Sequence, residues 1–180
     1  MLALAAPGTR SGGEVEWDLY GGYKGEITKD LGFDVGVLRY QYPGNHLADV
    51  PGAANANTTE LYGALSYGPA TLKYSHSVTN LFGFVDSKQS GYVLLSATFD
   101  VAGFSVAPHI GYQDIRHNGD FSYTDYALTV SKDLSGFVVS AAIVGADTKT
   151  LASGSKAYAS PANGKDLGRA GLVVGIKKTF

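Results

Sequence analysis

Four histidines are the side chains best suited to metal binding or proton transfer, and their spacing matches neither kind of site. His46, His76, His109 and His117 form no His-Glu-x-x-His pair. The strand pattern described below would place His76 and His109 on opposite faces, which makes them poor co-ligands. We therefore predict structural roles for the histidines, with no bound metal and no cofactor.

Other catalytic patterns are equally hard to find. The sequence has no Gly-x-Ser-x-Gly elbow, and no glycine-rich stretch meets the Lys-Ser/Thr pair of a phosphate-binding loop. Asp114, Asp120 and Asp125 could offer oxygen ligands to calcium, but a solvated acidic loop is the simpler interpretation. These observations predict that the protein is not an enzyme.

The remaining chemistry is carried by charges that recur on one side of the expected strands. As a hypothesis, they line an aqueous lumen and act as a weak electrostatic filter. The alternative is that they pair across strands and fill a narrow interior. Both signs occur, so strong ion selectivity is not predicted. The candidates are Glu16, Asp18, Lys24, Asp34, Glu60, Lys73, His109, Asp125, Arg169 and Lys177.

The composition limits the classes of protein that could present these charges. The 180 residues are 44% hydrophobic and 17% charged, with 24 glycines and no cysteine. The lack of cysteine excludes disulfides and cysteine-ligated metals. A net charge of −2 gives no electrostatic footprint for nucleic acid. Apolar side chains are plentiful, so the chain is not expected to be disordered as a whole.

Alternation of apolar and polar residues dominates the chain from about residue 14 and predicts about nine strands of about ten residues. The first is expected at about Val15–Tyr23. Short connections alternate with long ones, which describes an antiparallel up-and-down meander. The long connections are expected at Pro43–Thr58, Asn80–Gln89, Asp114–Ser122 and Asp147–Lys165.

Several features favour a transmembrane β-barrel over a soluble one. The polar faces carry mainly Ser, Thr, Gly and Ala with isolated charges, whereas a soluble surface is usually rich in Lys, Arg, Glu and Asp. Short and long connections alternate, as in outer-membrane barrels. Aromatic residues cluster towards strand ends, as in the girdles of such barrels. The interface candidates are Trp17, Tyr23, Tyr67, Phe104, Tyr112 and the terminal Phe180.

The predicted domain is residues 14–180, preceded by a disordered leader or truncation remnant at 1–13. Counting back nine strands from a periplasmic Phe180 starts the first strand outside the cell. Single-chain bacterial barrels have an even number of strands. The chain is therefore expected to be the C-terminal part of a larger, even-stranded barrel, unless the strand count is wrong by one.

Four segments carry distinctive strand and turn patterns: Val15–Gly25, Glu60–Gly68, Ala70–Ser75 and Ser122–Tyr126. They resemble the TorF family of porin-type outer-membrane proteins of proteobacteria. The resemblance implies a barrel in the bacterial outer membrane and offers no functional residues to transfer. The expected partners are the lipid bilayer, small solutes and the barrel-assembly machinery, the last through the strand that ends at Phe180.

Three functions remain open at this point. The first is passive diffusion of small solutes through the barrel. The second is a non-conducting structural or adhesion barrel acting through its long loops, chiefly Pro43–Thr58 and Asp147–Lys165, although these two are short of anchoring aromatic residues. The third is a soluble ligand-binding β-barrel, because period-2 alternation alone does not show which face is wet.

Overall fold

The computed structural model describes residues 15–178 as one antiparallel sheet of ten strands. Two single-turn 3₁₀ helices, Leu47–Asp49 and Gly119–Phe121, lie in the connections. No helix within residues 15–178 is long and apolar enough to cross a membrane. The strands are β1 Trp17–Thr28, β2 Leu31–Gln41, β3 Thr58–Tyr67, β4 Ala70–Ser77, β5 Gly91–Ala97, β6 Phe99–Val101, β7 Phe104–Asp114, β8 Tyr123–Leu134, β9 Phe137–Thr148 and β10 Gly171–Lys178.

The strands follow chain order across the sheet, with β5 and β6 sharing one position. Both pair with β7 in the same register, since Ser96 is opposite His109 and Phe99 is opposite Val106. That register places Pro108, which has no N–H to donate, at the point where the pairing is interrupted. The sheet therefore has nine strand positions, in agreement with the predicted number.

Four tight turns join the hairpins, and each leaves only two residues between strands. In two of them both turn residues have positive φ: Ala102 (54°) with Gly103 (76°), and Ser135 (56°) with Gly136 (89°). Such turns match the right-handed twist of paired strands. The long connections cover residues 42–57, 78–90, 115–122 and 149–170. The predicted alternation of short and long connections is confirmed.

The pairing register assigns every strand residue to one of two faces. One, the apolar face, carries aliphatic residues in its central rows, and the other, the polar face, carries most of the charges and most small residues. The register also shows which residues of β5 and β9 lie on each face, which the sequence pattern alone left ambiguous. The apolar face includes Leu19, Val35, Val37, Leu61, Leu65, Leu72, Val93, Leu95, Ile110, Leu128, Val130, Val139, Ile143, Leu172, Val174 and Ile176.

Exposure is distributed in the opposite way to that of a water-soluble protein. All the aliphatic residues named above are exposed; Leu61, for example, is 52% exposed. On the polar side of the same strand, Glu60 is only 7% exposed. Buried polar residues near the long-loop end include Thr58, Ser77 and Gln113. The edge strands β1 and β10 are exposed on both faces. Between them, the sheet presents apolar groups and leaves its polar groups less exposed.

The sheet curls with its polar face inward. Tyr123 of β8 interacts electrostatically with Glu60 of β3, and with Tyr40 of β2. In a flat sheet, β3 and β8 would be separated by four strand spacings, or roughly 19 Å, beyond a Debye length. Curvature is therefore required to bring these groups together across the polar face.

The curled sheet is open: β1 and β10 are its two edges and do not pair with each other. An all-β antiparallel meander is established, whereas closure into a barrel is not. The predicted leader at residues 1–13 and the terminal Phe180 lie outside the described residues. The first strand also differs from its predicted bounds of Val15–Tyr23, because it runs on through Gly25 and Glu26 to Thr28.

Candidate functional site

The predicted lumen charges fall almost entirely on the polar face. Eight of them occupy polar-face positions in strands, and Glu16 immediately precedes β1. Arg169 is the exception, since it lies in the 149–170 loop and not on a strand. The last strand begins two residues later, at Gly171. The eight are Asp18, Lys24, Asp34, Glu60, Lys73, His109, Asp125 and Lys177.

Asp125 of β8 organises one polar-face network. Its carboxylate lies 2.7 Å from Nε2 of His109 on β7, and it accepts hydrogen bonds of 2.9 and 3.1 Å from the Tyr92 hydroxyl of β5. The three side chains therefore join three neighbouring strand positions. Charge-assisted hydrogen bonds of this kind are among the stronger polar contacts in proteins.

Gly111 makes room for this network. A Cβ at Gly111 would lie 2.0 Å from the Tyr92 hydroxyl and 2.8 Å from Oδ2 of Asp125. A residue without a side chain is therefore needed beneath the tyrosine, as is usual where a strand is approached closely. The same arrangement recurs at Gly36, over which the Tyr62 hydroxyl lies.

Replacing Asp125 by alanine should lower the free energy of unfolding by about 1.5 kcal/mol, because Tyr92 and His109 lose their shared partner. Urea titration in detergent micelles measures the effect. Asp120→Ala is the matched control, since this aspartate is exposed in a loop. Equal effects of the two substitutions would contradict an organising role for Asp125.

A second polar-face network, which we call the Glu60 network, lies nearer β1. The positive charge of Lys73 on β4 interacts with the Glu60 carboxylate. The Lys73 ammonium also lies 4.4 Å from the centre of the Tyr62 ring. Tyr62 in turn interacts with Asp34, which is directly opposite Lys24 in the register. Charges of both signs therefore alternate across the polar face, which matches the prediction of mixed charge. The tyrosines between them were not identified as site residues from sequence.

At the long-loop end the polar face is covered by the long connections, which we call the loop cap (residues 42–57, 78–90, 115–122 and 149–170). The Phe82 ring packs on Tyr40 with centroids 5.0 Å apart, and Tyr158 packs on Tyr123 at 5.5 Å. The loop cap contains Leu81, Ile115 and Tyr158, which are buried. The loops thus form an apolar cluster that packs on Tyr40 and Tyr123 of the polar face.

Hydrogen bonds join neighbouring loops within the cap. The Tyr158 hydroxyl donates to the Phe121 carbonyl at 2.6 Å, and the Asn118 amide donates to the Val85 carbonyl at 2.9 Å. The two loops expected to be short of anchoring aromatic residues, Pro43–Thr58 and Asp147–Lys165, contribute Tyr158 alone. The other loop aromatics in these contacts come from the remaining two loops. Single aromatic residues in separate loops carry no periodic signal, and they meet only in the folded chain.

The Tyr42 hydroxyl donates a hydrogen bond to the Glu16 carboxylate and so ties the start of β1 to the loop cap. Burial, and then this hydrogen bond, raise the pKa of the Tyr42 phenol well above its ordinary value. The phenol therefore keeps its proton at neutral pH and remains a donor to Glu16.

The predicted interface aromatics lie on the apolar face where the structure describes them. Tyr67 and Phe104 are adjacent to hairpin turns, while Trp17 and Tyr112 lie near the long-loop ends. Tyr23 was wrongly expected at a strand end: it lies within β1, its ring 5.7 Å from that of Phe33. The longer course of β1 accounts for the error.

His76 and His109 do not lie together at one site. His76 lies on the apolar face and His109 on the polar face, so their predicted opposition is confirmed. Asp114 and Asp125 are also on opposite faces, which rules out the calcium site considered for the Asp114, Asp120 and Asp125 set. Within residues 15–178 no group of three or more His, Asp or Glu residues is arranged to hold a metal ion.

Comparison with known proteins yields one match. A family model described as a bacterial protein of unknown function (Gcw_chp) matches residues 3–180. No curated protein and no solved structure matches the chain. The match gives no support to the more specific TorF assignment, which stays a prediction. Because it spans nearly the whole sequence, the chain belongs to the Gcw_chp family of bacterial proteins.

Proposed function

We propose that the sheet is the wall of an outer-membrane β-barrel through which small polar solutes diffuse passively. The observation that carries this proposal is the inverted sheet, with exposed aliphatic side chains outside and less exposed polar ones inside. In a soluble barrel the apolar face would be on the concave side. The curvature of this sheet makes a soluble ligand-binding barrel the weakest of the three alternatives.

The size of the apolar face supports the membrane environment. Soluble monomers rarely expose contiguous apolar patches beyond a few hundred Å². Here the apolar face continues across all nine strand positions. Its longer strands, such as β7 with 11 residues and β8 with 12, have the length required to cross a bilayer at a tilt. Lipid would remove this surface from water.

Insertion in lipid requires the sheet to close, because unpaired strand edges cannot be hydrated there. The edges of β1 and β10 therefore need partners. Since bacterial barrels of a single chain have even strand numbers, we propose that the nine positions belong to a larger barrel with further strands between β1 and β10.

The polar face would then line the lumen. Glu60, Lys73 and Asp125 place both signs of charge along it, so only weak ion selectivity is expected. Replacing Lys73 by glutamate should shift the selectivity of the pore towards cations, because it reverses one charge of the Glu60 network. Tyr62→Phe offers a control that leaves the lumen charge unchanged.

Two measurements on the full-length protein test the proposal. The folded protein should partition into detergent on membrane extraction, and it should show single-channel conductance in planar bilayers. Recovery of folded protein in the aqueous phase would exclude the membrane assignment. Insertion without conductance would exclude the pore while retaining a barrel.

A non-conducting barrel is the second candidate, and the loop cap is the observation that favours it. Phe82 and Tyr158 pack onto tyrosines of the polar face. In a closed barrel these rings would narrow the lumen at its long-loop end. Such a barrel would act through its external loops. A pore that conducts only after residues 149–170 are deleted would support this alternative.

A further inference from the structure

A polar pocket opens at the long-loop end of the sheet, outside both polar-face networks. Its volume is about 320 Å³. Arg39 occupies an apolar-face position near the end of β2. It is two residues before Gln41, which lies on the same face opposite Trp17. The pocket therefore lies at the rim of the apolar face and not in the proposed lumen. It is lined by Arg39, Asn55, Asn57, Thr79, Asn80 and Lys88.

Three asparagines of the pocket use their side-chain oxygens to accept backbone hydrogen bonds. The Asn57 side-chain oxygen accepts from the Tyr42 N–H at 2.7 Å, that of Asn55 from the Asn57 N–H at 2.8 Å, and that of Asn80 from the Ser87 N–H at 3.1 Å. A backbone N–H requires an oxygen partner, so these bonds fix the orientation of each amide. Within the described chain, the three NH₂ groups are left as donors.

The two cations of the pocket have no carboxylate partner among the described residues. Arg39 donates to Oε1 of Gln41 at 3.0 and 3.2 Å and to the Thr59 hydroxyl at 2.8 Å. These neutral acceptors hold the guanidinium in place and use three of its five N–H groups. Lys88 is exposed at the pocket mouth. No acidic residue lines the pocket.

We propose that this pocket binds a phosphate group presented by a membrane lipid. A lining of two cations and three amide donors matches the charge and the multiple acceptor oxygens of a phosphate monoester. The lipid source rests on the proposed function, because only a protein with its apolar face in a bilayer holds this rim at headgroup level. Free inorganic phosphate offers the same charge and acceptor oxygens, but its binding would not require the pocket to lie at the level of the lipid headgroups.

The single tryptophan provides a local probe, since Trp17 is opposite the glutamine that holds Arg39. Its fluorescence should respond when phosphatidic acid is added to protein in phosphatidylcholine vesicles. Arg39→Gln should weaken the apparent affinity about tenfold or more, as expected for lost hydrogen bonds to a charged group. Asn55→Asp, which replaces a donor by a charge at an exposed position, should weaken it as well. Lys165→Gln removes a cation outside the pocket and should leave the affinity unchanged.

The outcomes separate this inference from the proposed function. An equal loss in Lys165→Gln would overturn a specific site. Inorganic phosphate that binds the protein in neutral detergent, with no response to phosphatidic acid, would overturn the lipid source. Insertion into vesicles without a response to either probe would overturn the pocket alone. Failure to insert, with phosphate still bound in detergent, would overturn the proposed function and the lipid source but retain the phosphate site.

Discussion

Replacing Leu128 by arginine is expected to destabilise the membrane-inserted protein by about 2–4 kcal/mol, the cost of a cation on the lipid face near the bilayer midplane. Leu128 is 46% exposed on the apolar face, where its neighbours across the strands are Pro108 and Ile143. In water, an exposed leucine at such a position could be replaced with an effect within about 0.5 kcal/mol. The substitution therefore reports which medium the apolar face meets.

The next residue provides the control. Thr129 is on the polar face between Ala107 and Ala142, whose short side chains leave space for arginine. Thr129→Arg should lower the stability of the inserted protein far less than Leu128→Arg, because a side chain in the lumen stays hydrated. Urea titration of both variants in lipid vesicles measures the difference. Similar stabilities for the two variants would contradict a lipid-facing apolar face, and with it the membrane proposal.

The strands and hairpins were predictable because their signals are local. Alternation with period 2 is written into each strand, and the tight turns carry glycines such as Gly103 and Gly136 where the backbone has positive φ. The face on which a charge lies follows from the same alternation. Asp34, Glu60 and Asp125 could therefore be assigned to one side before any pairing was known.

The partners of those charges could not be predicted, because they depend on register. Asp125 meets Tyr92 only through the pairing of β5 with β7 and of β7 with β8. A shift of one residue in either ladder would turn one of them to the other face. A usable sequence signal does exist, since glycines within strands such as Gly36 and Gly111 mark places where a neighbouring tyrosine lies over the backbone.

The loop cap was missed for a different reason. Its contacts join loops that are far apart in sequence, as Phe121 joins Phe84 and Tyr158. No periodicity links such residues, and each by itself is an ordinary loop aromatic. The phosphate pocket is nonlocal in the same way, because Arg39 and Lys88 come from different parts of the chain.

The second large loss of stability is expected from a substitution at a pair of glycines that face each other across β1 and β2. Gly22 of β1 is directly opposite Gly36 of β2, and a Cβ at Gly22 would lie 2.3 Å from the Val35 carbonyl oxygen. This neighbour is backbone, so it cannot move without displacing one strand from the other. Gly22→Ala should therefore cost about 3 kcal/mol, at the upper end of the range for overpacking.

Gly21→Ala provides a matched control in the same strand. A Cβ there would meet nothing within 4 Å, and alanine restricts the unfolded chain, so this variant should be neutral or more stable by up to about 1 kcal/mol. Urea titration followed by Trp17 fluorescence reports directly on β1. Because the closest contact of Gly22 is a carbonyl, removing the Tyr62 hydroxyl should not rescue Gly22→Ala. If Tyr62→Phe restored stability, the tyrosine and not the backbone would set the spacing of β1 and β2, and the close approach of these two strands would not be intrinsic to the sheet.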